Sequence, residues 1–233
     1  MRPTPREVCS NLKSSFKLTP NQKAVLIGTI LGDGNIRLKG KFARLHIKHS
    51  ANQLFFVKYK RRVFSNISTM GVSVFTQRVG EVDYNFAEFV TLTHPIFLEY
   101  YHLFYPNGKK RVPREIEKLL LDPLSLAMWI MDDGSAEYAG LSIQTHSFEP
   151  NEVSLLRETI QRNFGIETGE RKNKGKIIIY FPKHTMPSLR NLIGKHILSE
   201  LKYKLLPYSE RINPVETVRR DPPKADYDTV RSA

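Results

Sequence analysis

Leu26-Ile27-Gly28-Thr29-Ile30-Leu31-Gly32-Asp33-Gly34 and Leu126-Ala127-Met128-Trp129-Ile130-Met131-Asp132-Asp133-Gly134 are the two stretches on which the organisation of the chain turns. Each is an apolar run that ends at Asp-Gly, and each follows a helix start. Thr19-Pro20-Asn21-Gln22 offers Thr as N-cap, Pro at the first helical position and Gln three residues after the cap; Asp122-Pro123 repeats the cap-Pro start. Both helices are apolar on nearly all sides, which predicts two central, buried helices packed against each other. Gly28 and Gly32, four residues apart, would allow close backbone approach, and Asp33 and Asp133 fall at matching positions.

Working outward, further landmarks recur in the same order in both halves. Strand-like segments end at His49-Ser50 and His146-Ser147, and each is followed by a helical stretch reaching Phe64 or Phe164. Extended chain follows over 72–79 and 84–92 in the first half and over 169–181 in the second. A last helical region covers 95–105 and 187–201, and each half closes on Lys-x-x-Pro, at Lys110 to Pro113 and Lys204 to Pro207. The implied unit is αββαββα used twice, an α+β (mixed α/β) fold with an N-terminal arm (1–18), a first repeat (19–113), a second repeat (114–207) and a polar, proline-bearing C-terminal tail (208–233). A duplicated chain implies a pseudo-dyad, and a pseudo-dyad suits a DNA duplex.

Charge points the same way. The 233 residues carry 36 Lys and Arg against 23 Asp and Glu, a net charge of +13. The interval between Asp33 and Glu81 holds no carboxylate at all, yet it contains Arg37, Lys39, Lys41, Arg44, Lys48 and Arg78 among its basic residues. Over 36–39 and 43–49, basic and apolar residues alternate: Arg37, Lys39, Lys41, then Arg44, His46 and Lys48, against Ile36, Leu38, Leu45 and Ile47. Period two means strand, and Gly40-Lys41 suits the turn of a hairpin with one cationic and one core face. Such a ribbon fits a DNA major groove. The second half carries a milder version, with Ser142, Gln144 and His146 alternating with Leu141, Ile143 and Thr145, and a basic hairpin tip at Arg171, Lys172, Lys174 and Lys176. Polar strand faces of this kind read base edges as well as phosphates.

The two Asp-Gly helix ends carry the candidate chemistry. One Asp-Gly is an ordinary turn; two on matched buried helices place carboxylates at adjacent helix C-termini, where the dipoles disfavour anions and the acids repel. A hard divalent cation, Mg²⁺ first, relieves that cost and supports phosphodiester hydrolysis by activating water and stabilising the leaving oxygen. Lys110 and Lys204, one per half, suit charge stabilisation on phosphate; a solvated or phosphate-positioning lysine is an equally open reading.

At the two nonapeptides the sequence resembles the LAGLIDADG homing endonucleases, in particular the single-chain forms with two motif copies. Leu124-Ser125-Leu126-Ala127-Met128-Trp129, the Met-Asp-Asp-Gly ending, Gln144 to Phe148 and Asn163-Phe164-Gly165 resemble one branch of that family. The resemblance spans about 19–207. It implies a monomer with saddle-shaped antiparallel sheets over a long, weakly or non-palindromic DNA site, and staggered cutting across the minor groove. It further implies two or three bound Mg²⁺, with Mn²⁺ able to substitute and Ca²⁺ supporting binding without cleavage. The family's essential acids map onto Asp33 and Asp133 and its central basic residues onto Lys110 and Lys204. Gly32 and Asp132 join the metal site by position, Asp132 as an ancillary acid where many members have a small residue. Met128 replaces the helix-packing glycine of the second copy, so strict symmetry is not expected. Family habit implies an intron-borne gene in a mitochondrion or chloroplast.

Other classes fit less well. No apolar run approaches the roughly 18 residues of a membrane span, so a soluble, intracellular protein is expected. The single Cys9 excludes an internal disulfide framework. His94, His102, His184 and His196 show no metal-ligand pattern, while His49 and His146 recur in register and suit a turn-adjacent structural role at least as well as catalysis. Two alternatives remain: an intron RNA maturase, and a non-catalytic DNA-binding regulator on the same fold. The paired acids favour cleavage over both.

Overall fold

A computed structural model describes residues 16–207 and Glu210. Most of the expected N-terminal arm, with Cys9, and nearly all of the expected tail lie outside the described residues. The first half runs α1 (Pro20–Leu31), β1 (Asn35–Lys39), β2 (Phe42–Ser50), α2 (Leu54–Val63), β3 (Ser73–Val79), β4 (Val82–Val90) and α3 (Pro95–Phe104). After the short α4 (Ile116–Leu119), the second runs α5 (Pro123–Asp133), β5 (Gly134–Ala136), β6 (Leu141–Ile143), α6 (Pro150–Phe164), β7 (Gly169–Asn173), β8 (Lys176–Phe181) and α7 (Met186–Ile193). The strands form two four-stranded antiparallel sheets, ordered β1-β2-β4-β3 and β5-β6-β8-β7. The duplicated unit is thus the observed architecture.

Both central helices start as their caps dictate. Thr19 and Gln22 form a reciprocal capping box at α1, and the Asp122 carboxylate accepts from the Leu124 amide at α5. Gln22 also donates to the Val63 carbonyl at 2.9 Å, tying the start of α1 to the end of α2. Beyond their first turns α1 and α5 are buried all round and pack on each other, with Leu26, Ile30, Leu126, Trp129 and Ile130 fully inaccessible. The contact depends on absent side chains. A Cβ on Gly28 would lie 2.2 Å from the Ser125 carbonyl oxygen and 2.6 Å from the Met128 Cβ, and one on Gly32 would lie 2.5 Å from the Asp132 Cβ. The expected asymmetry is therefore resolved by complementarity: α5 supplies Met128 and Asp132 as knobs, and α1 supplies glycines as hollows.

The first hairpin turns at Gly40, whose φ of 62° is open to glycine at no steric cost. Ala43, Leu45, Ile47 and His49 share the core face of β2, and Arg44, His46 and Lys48 the other. Leu38, expected on the core face, is 48% exposed at the turn end of β1, close to Gly40.

Two expectations need correction. The second-half strand expected to end at His146 stops at Ile143, and residues 144–147 are loop. There the Thr145 hydroxyl, not the ladder, donates to the Ile177 carbonyl at 2.9 Å. The final helix expected over 187–201 is broken: α7 ends at Ile193, and Ser199–Lys204 is a 3₁₀ segment. The bend lets both Ile197 and Leu201 be buried, and the Leu198 amide donates to the Met131 sulfur of α5 at 3.4 Å.

The crossing segment is pinned to α6. The Val112 amide donates to Glu152 Oε1 at 3.0 Å and the Asn163 side chain to the Glu117 and Leu120 carbonyls, both at 2.8 Å. Replacing Gly28 by Ala should cost about 1–3 kcal/mol, since the colliding atom is backbone. Gly71→Ala, where a Cβ meets nothing within 4 Å, should be close to neutral. Denaturant midpoints of the two variants check the difference.

Candidate nucleic-acid interface and metal centre

Asp33 follows the last turn of α1 and Asp133 is the last residue of α5. Gly32 packs against Asp132, and the Asp33 amide lies 3.4 Å from Asp132 Oδ2, so the acid brought next to Asp33 is Asp132, while Asp133 is buried at 7% exposure. Each helix end has its own lysine. Lys110 Nζ donates to the Gly32 carbonyl at 2.6 Å and to that of Gly34 at 3.3 Å, while Lys204 Nζ donates to the Met131 carbonyl at 2.7 Å and to that of Ile130 at 3.3 Å. Two ammonium groups thus satisfy helix C-terminal carbonyls and sit beside the acids, offsetting the negative dipole ends.

Around Asp33 the surroundings are more elaborate. Asp33, His49 and Asp132 bring one oxygen or nitrogen each within 4.8 Å of one another. Asp132 has no side-chain exposure, and its carboxylate takes the ammonium of Lys60 at 2.6 Å. His49 is buried beside them, and burial, followed by the Lys60 charge, pushes its pKa down to about 4. Lys60 is not singled out by sequence because Lys58 to Arg62 looks like a solvated basic run. The signal is its spacing, three after Val57 and four after Phe56, which puts it on the buried stripe of α2.

The sheet register sorts the expected DNA-facing residues. Arg37 stands opposite Arg44, and Lys48 opposite Glu88, so Arg37, Lys39, Arg44, His46 and Lys48 share one face. On it His46 is only 6% exposed and pairs with Glu88 at 2.8 Å, and burial lowers its pKa against the raising effect of that carboxylate. Lys48 Nζ sits 3.8 Å above the Phe86 ring and donates to Gln77. Lys41 lies at the exposed turn. Arg78 opposes Asp83 and so faces the other way, with Gln77 in its place on the cationic face.

The second sheet repeats this pattern. Arg171 and Lys176 share a face with Ser142, Asn173 and Tyr180; Gln144 joins them by donating to Ser135 and Ser142, both at 3.3 Å, and accepting from Asn173 at 3.3 Å. The Arg171 guanidinium stacks 3.3 Å from the Tyr180 ring centroid. Ser142 is fully buried there and donates to Glu137 at 2.7 Å. Lys172 opposes Ile177 on the opposite face, the counterpart of Arg78, and Lys174 occupies the turn with φ 50°. His146 lies in the loop after β6, with Nε2 buried and unbonded. Gln77, Asn173 and Tyr180 are additional polar-face residues, which strict period-two counting from the neighbouring strand identifies.

A model of the LAGLIDADG DNA endonuclease family matches residues 23–189. The chain belongs to that family. Among curated relatives of this LAGLIDADG protein, the cytochrome b mRNA maturase bI2 of Debaryomyces hansenii is 29% identical over 190 residues, covering 78% of this chain and 72% of the relative. The probable intron-encoded endonuclease 1 of Wickerhamomyces canadensis is 27% identical over 207 residues, covering 81% and 85%. In three dimensions the chain is similar to the homing endonuclease I-WcaI bound to its DNA recognition sequence, with a TM-score of 0.81, 26% identity and coverage of 89% of this chain and 95% of that one. No helix among the described residues is long and apolar enough to cross a membrane.

The register predicts unequal roles for the basic residues. Changing Arg37, Lys39 and Arg44 together to Gln should flatten the salt dependence of duplex binding by about 0.9 in log–log slope for each phosphate that is no longer neutralised. Arg78→Gln with Lys172→Gln should change it far less. Fluorescence anisotropy titrations in Ca²⁺ at several salt concentrations measure both.

Proposed function

We propose that the chain is a site-specific double-strand DNA endonuclease of the homing type, acting as a monomer whose repeats, 19–113 and 114–207, each supply one half of the site. The observation that carries it is the placement of Asp33 and Asp133 at the paired ends of α1 and α5, each end with its own lysine donating to the terminal carbonyls. The likeness over nearly the whole chain to an enzyme described as bound to its DNA recognition sequence supports the same conclusion.

The donor set fits a hard divalent cation: carboxylates at converging helix C-termini favour Mg²⁺, Mn²⁺ or Ca²⁺ over a soft metal. Asp33 and Asp133 would hold it, while the Gly32 carbonyl and the Asp132 carboxylate are engaged by Lys110 and Lys60. When bound, such an ion lowers the pKa of its water and stabilises the departing 3′ oxygen. Lys110 and Lys204 hold the helix ends in place and present positive charge to the phosphate as its negative charge grows. The cationic face of the first sheet and the Gln144–Asn173–Arg171 face of the second hold the duplex, phosphates by the basic residues and base edges by the polar ones, whereas Ser142, fully buried on Glu137, makes no such contact. Because the two faces differ in residue and length, the matching target is a long site without a strict palindrome.

A second reading, service to intron RNA as a maturase, is favoured by the relative that bears that name. An organellar home, mitochondrion or chloroplast, goes with either.

The discriminating experiment selects bound duplex from a partly randomised library in Ca²⁺ and then switches the pool to Mg²⁺. Wild type should cut the recovered duplexes, whereas Asp33→Asn and Asp133→Asn should bind them with affinity within a few-fold of wild type and lose double-strand cutting by at least about a hundredfold. Full cutting by either variant would refute the assignment of the acids, and binding to intron RNA with no duplex selected would establish the maturase instead.

A further inference from the structure

Lys60 has no part in the mechanism above, yet it is among the largest fully buried side chains of the described residues. Its ammonium lies 2.6 Å from Asp132 Oδ1, 3.2 Å from His49 Nε2 and 4.1 Å from the Phe56 ring centroid. An ammonium has protons and no lone pair, so toward His49 it can only donate. Nε2 must then accept, and the ring proton belongs on Nδ1. That nitrogen faces Asp33 Oδ2 at 3.7 Å. The α2 lysine thus fixes the imidazole by a hydrogen bond and turns its Nδ1 proton toward the first-repeat acid, which lies 3.7 Å away and outside hydrogen-bond reach, with Asp132 of the second repeat holding the lysine in place.

The second repeat lacks this arrangement. Matching the motif ends and aligning Phe64 with Phe164 sets Gly32 against Asp132 and Ile160 against Lys60, while the recurring His-Ser pair, three residues out of that register, is the only link between His146 and His49. Ile160 is fully buried, and the buried Nε2 of His146 has no hydrogen-bond partner. Since an apolar pair fills such a position without the desolvation cost of two buried charges, the Lys60–Asp132 pair needs a reason beyond packing. What it adds is a fixed donor behind His49.

We propose that Lys60, anchored by Asp132, acts through His49 as a positioning relay that orients the Asp33 carboxylate for metal binding, a role that rests on Asp33 being a metal ligand and that makes the two acids of the pseudo-dyad inequivalent. Hydrogen bonds behind a metal ligand set its orientation, and removing them costs about 10–100-fold in metal affinity or activity.

Lys60→Met alone would strand a buried carboxylate and could simply unfold the chain, so the test removes the pair together as Lys60→Ile with Asp132→Ala, which brings the first repeat close to the second. Nitrogen-15 correlation spectra of the full, metal-free chain should show His49 with its proton on Nδ1 in wild type and a shift toward Nε2 in the double variant. At saturating duplex the double variant should cut about tenfold or more slowly and need more Mg²⁺ for half-maximal rate, with unchanged duplex affinity in Ca²⁺. A wild-type His49 protonated on Nε2, or a double variant with wild-type rate and Mg²⁺ dependence, would overturn the relay. Asp33→Asn run in parallel separates the levels: if it is dead while the double variant is fully active, the relay alone fails. If Asp33→Asn cuts normally, the metal assignment fails and takes the relay with it.

Discussion

The close approach of α1 and α5 is the constraint on which the remaining structure depends. It exists because Gly28 and Gly32 have no side chains: a Cβ at either would lie closer to α5 than non-bonded atoms tolerate. From that packing follow the burial of both helices beyond their first turns and the placement of Asp33 and Asp133 at adjacent helix ends. It also brings together two helix C-termini and two acids, an arrangement of like charge and like dipole. Lys110 and Lys204 relieve part of this by donating to the terminal carbonyls, and in doing so bring cations to the place where a phosphate would react.

The duplication is faithful in topology and unfaithful in detail. Both halves build a four-stranded sheet in the same order, but β1 and β2 have five and nine residues where β5 and β6 have three each. At the helix interface, glycines on one side receive Met128 and Asp132 from the other, and the buried Asp132 in turn requires a buried cation, met by Lys60. A homodimer could not adopt this pairing, because each knob needs a hollow opposite it. A single chain carrying both halves is free to differentiate them, which fits a partner whose two halves also differ.

Much of the fold and half of the site are legible from local pattern. Caps, apolar runs, the Asp-Gly endings and the preserved order of landmarks identify α1, α5 and the repeat because each depends on residues within a few positions of one another. The family follows from the same nonapeptides. Alternation likewise places Arg37, Lys39, Arg44 and Lys48 on one face. It fails where it is not applied strictly: Arg171 and Lys172 are neighbours in a strand and must face opposite ways, as must Gln77 and Arg78. The length of β6 and the break after α7 are not legible, since they are decided by Thr145 bonding to β8 and by the burial of Ile197 and Leu201 with Leu198 bonded to Met131.

By itself, then, the sequence determined the repeat, its α+β elements, the two Asp-Gly helix ends and the cationic face of the first sheet, all properties of short-range periodicity and composition. Only the tertiary structure decided which glycine meets which knob, that His46 is covered by Glu88 while Arg78 and Lys172 face away, and that Lys60 lies against Asp132, 72 positions along the chain, behind His49. The physical reason is that burial and pairing of a charge depend on what the fold brings near it. A lysine in a basic run looks the same in sequence whether its ammonium ends in water or against a buried carboxylate.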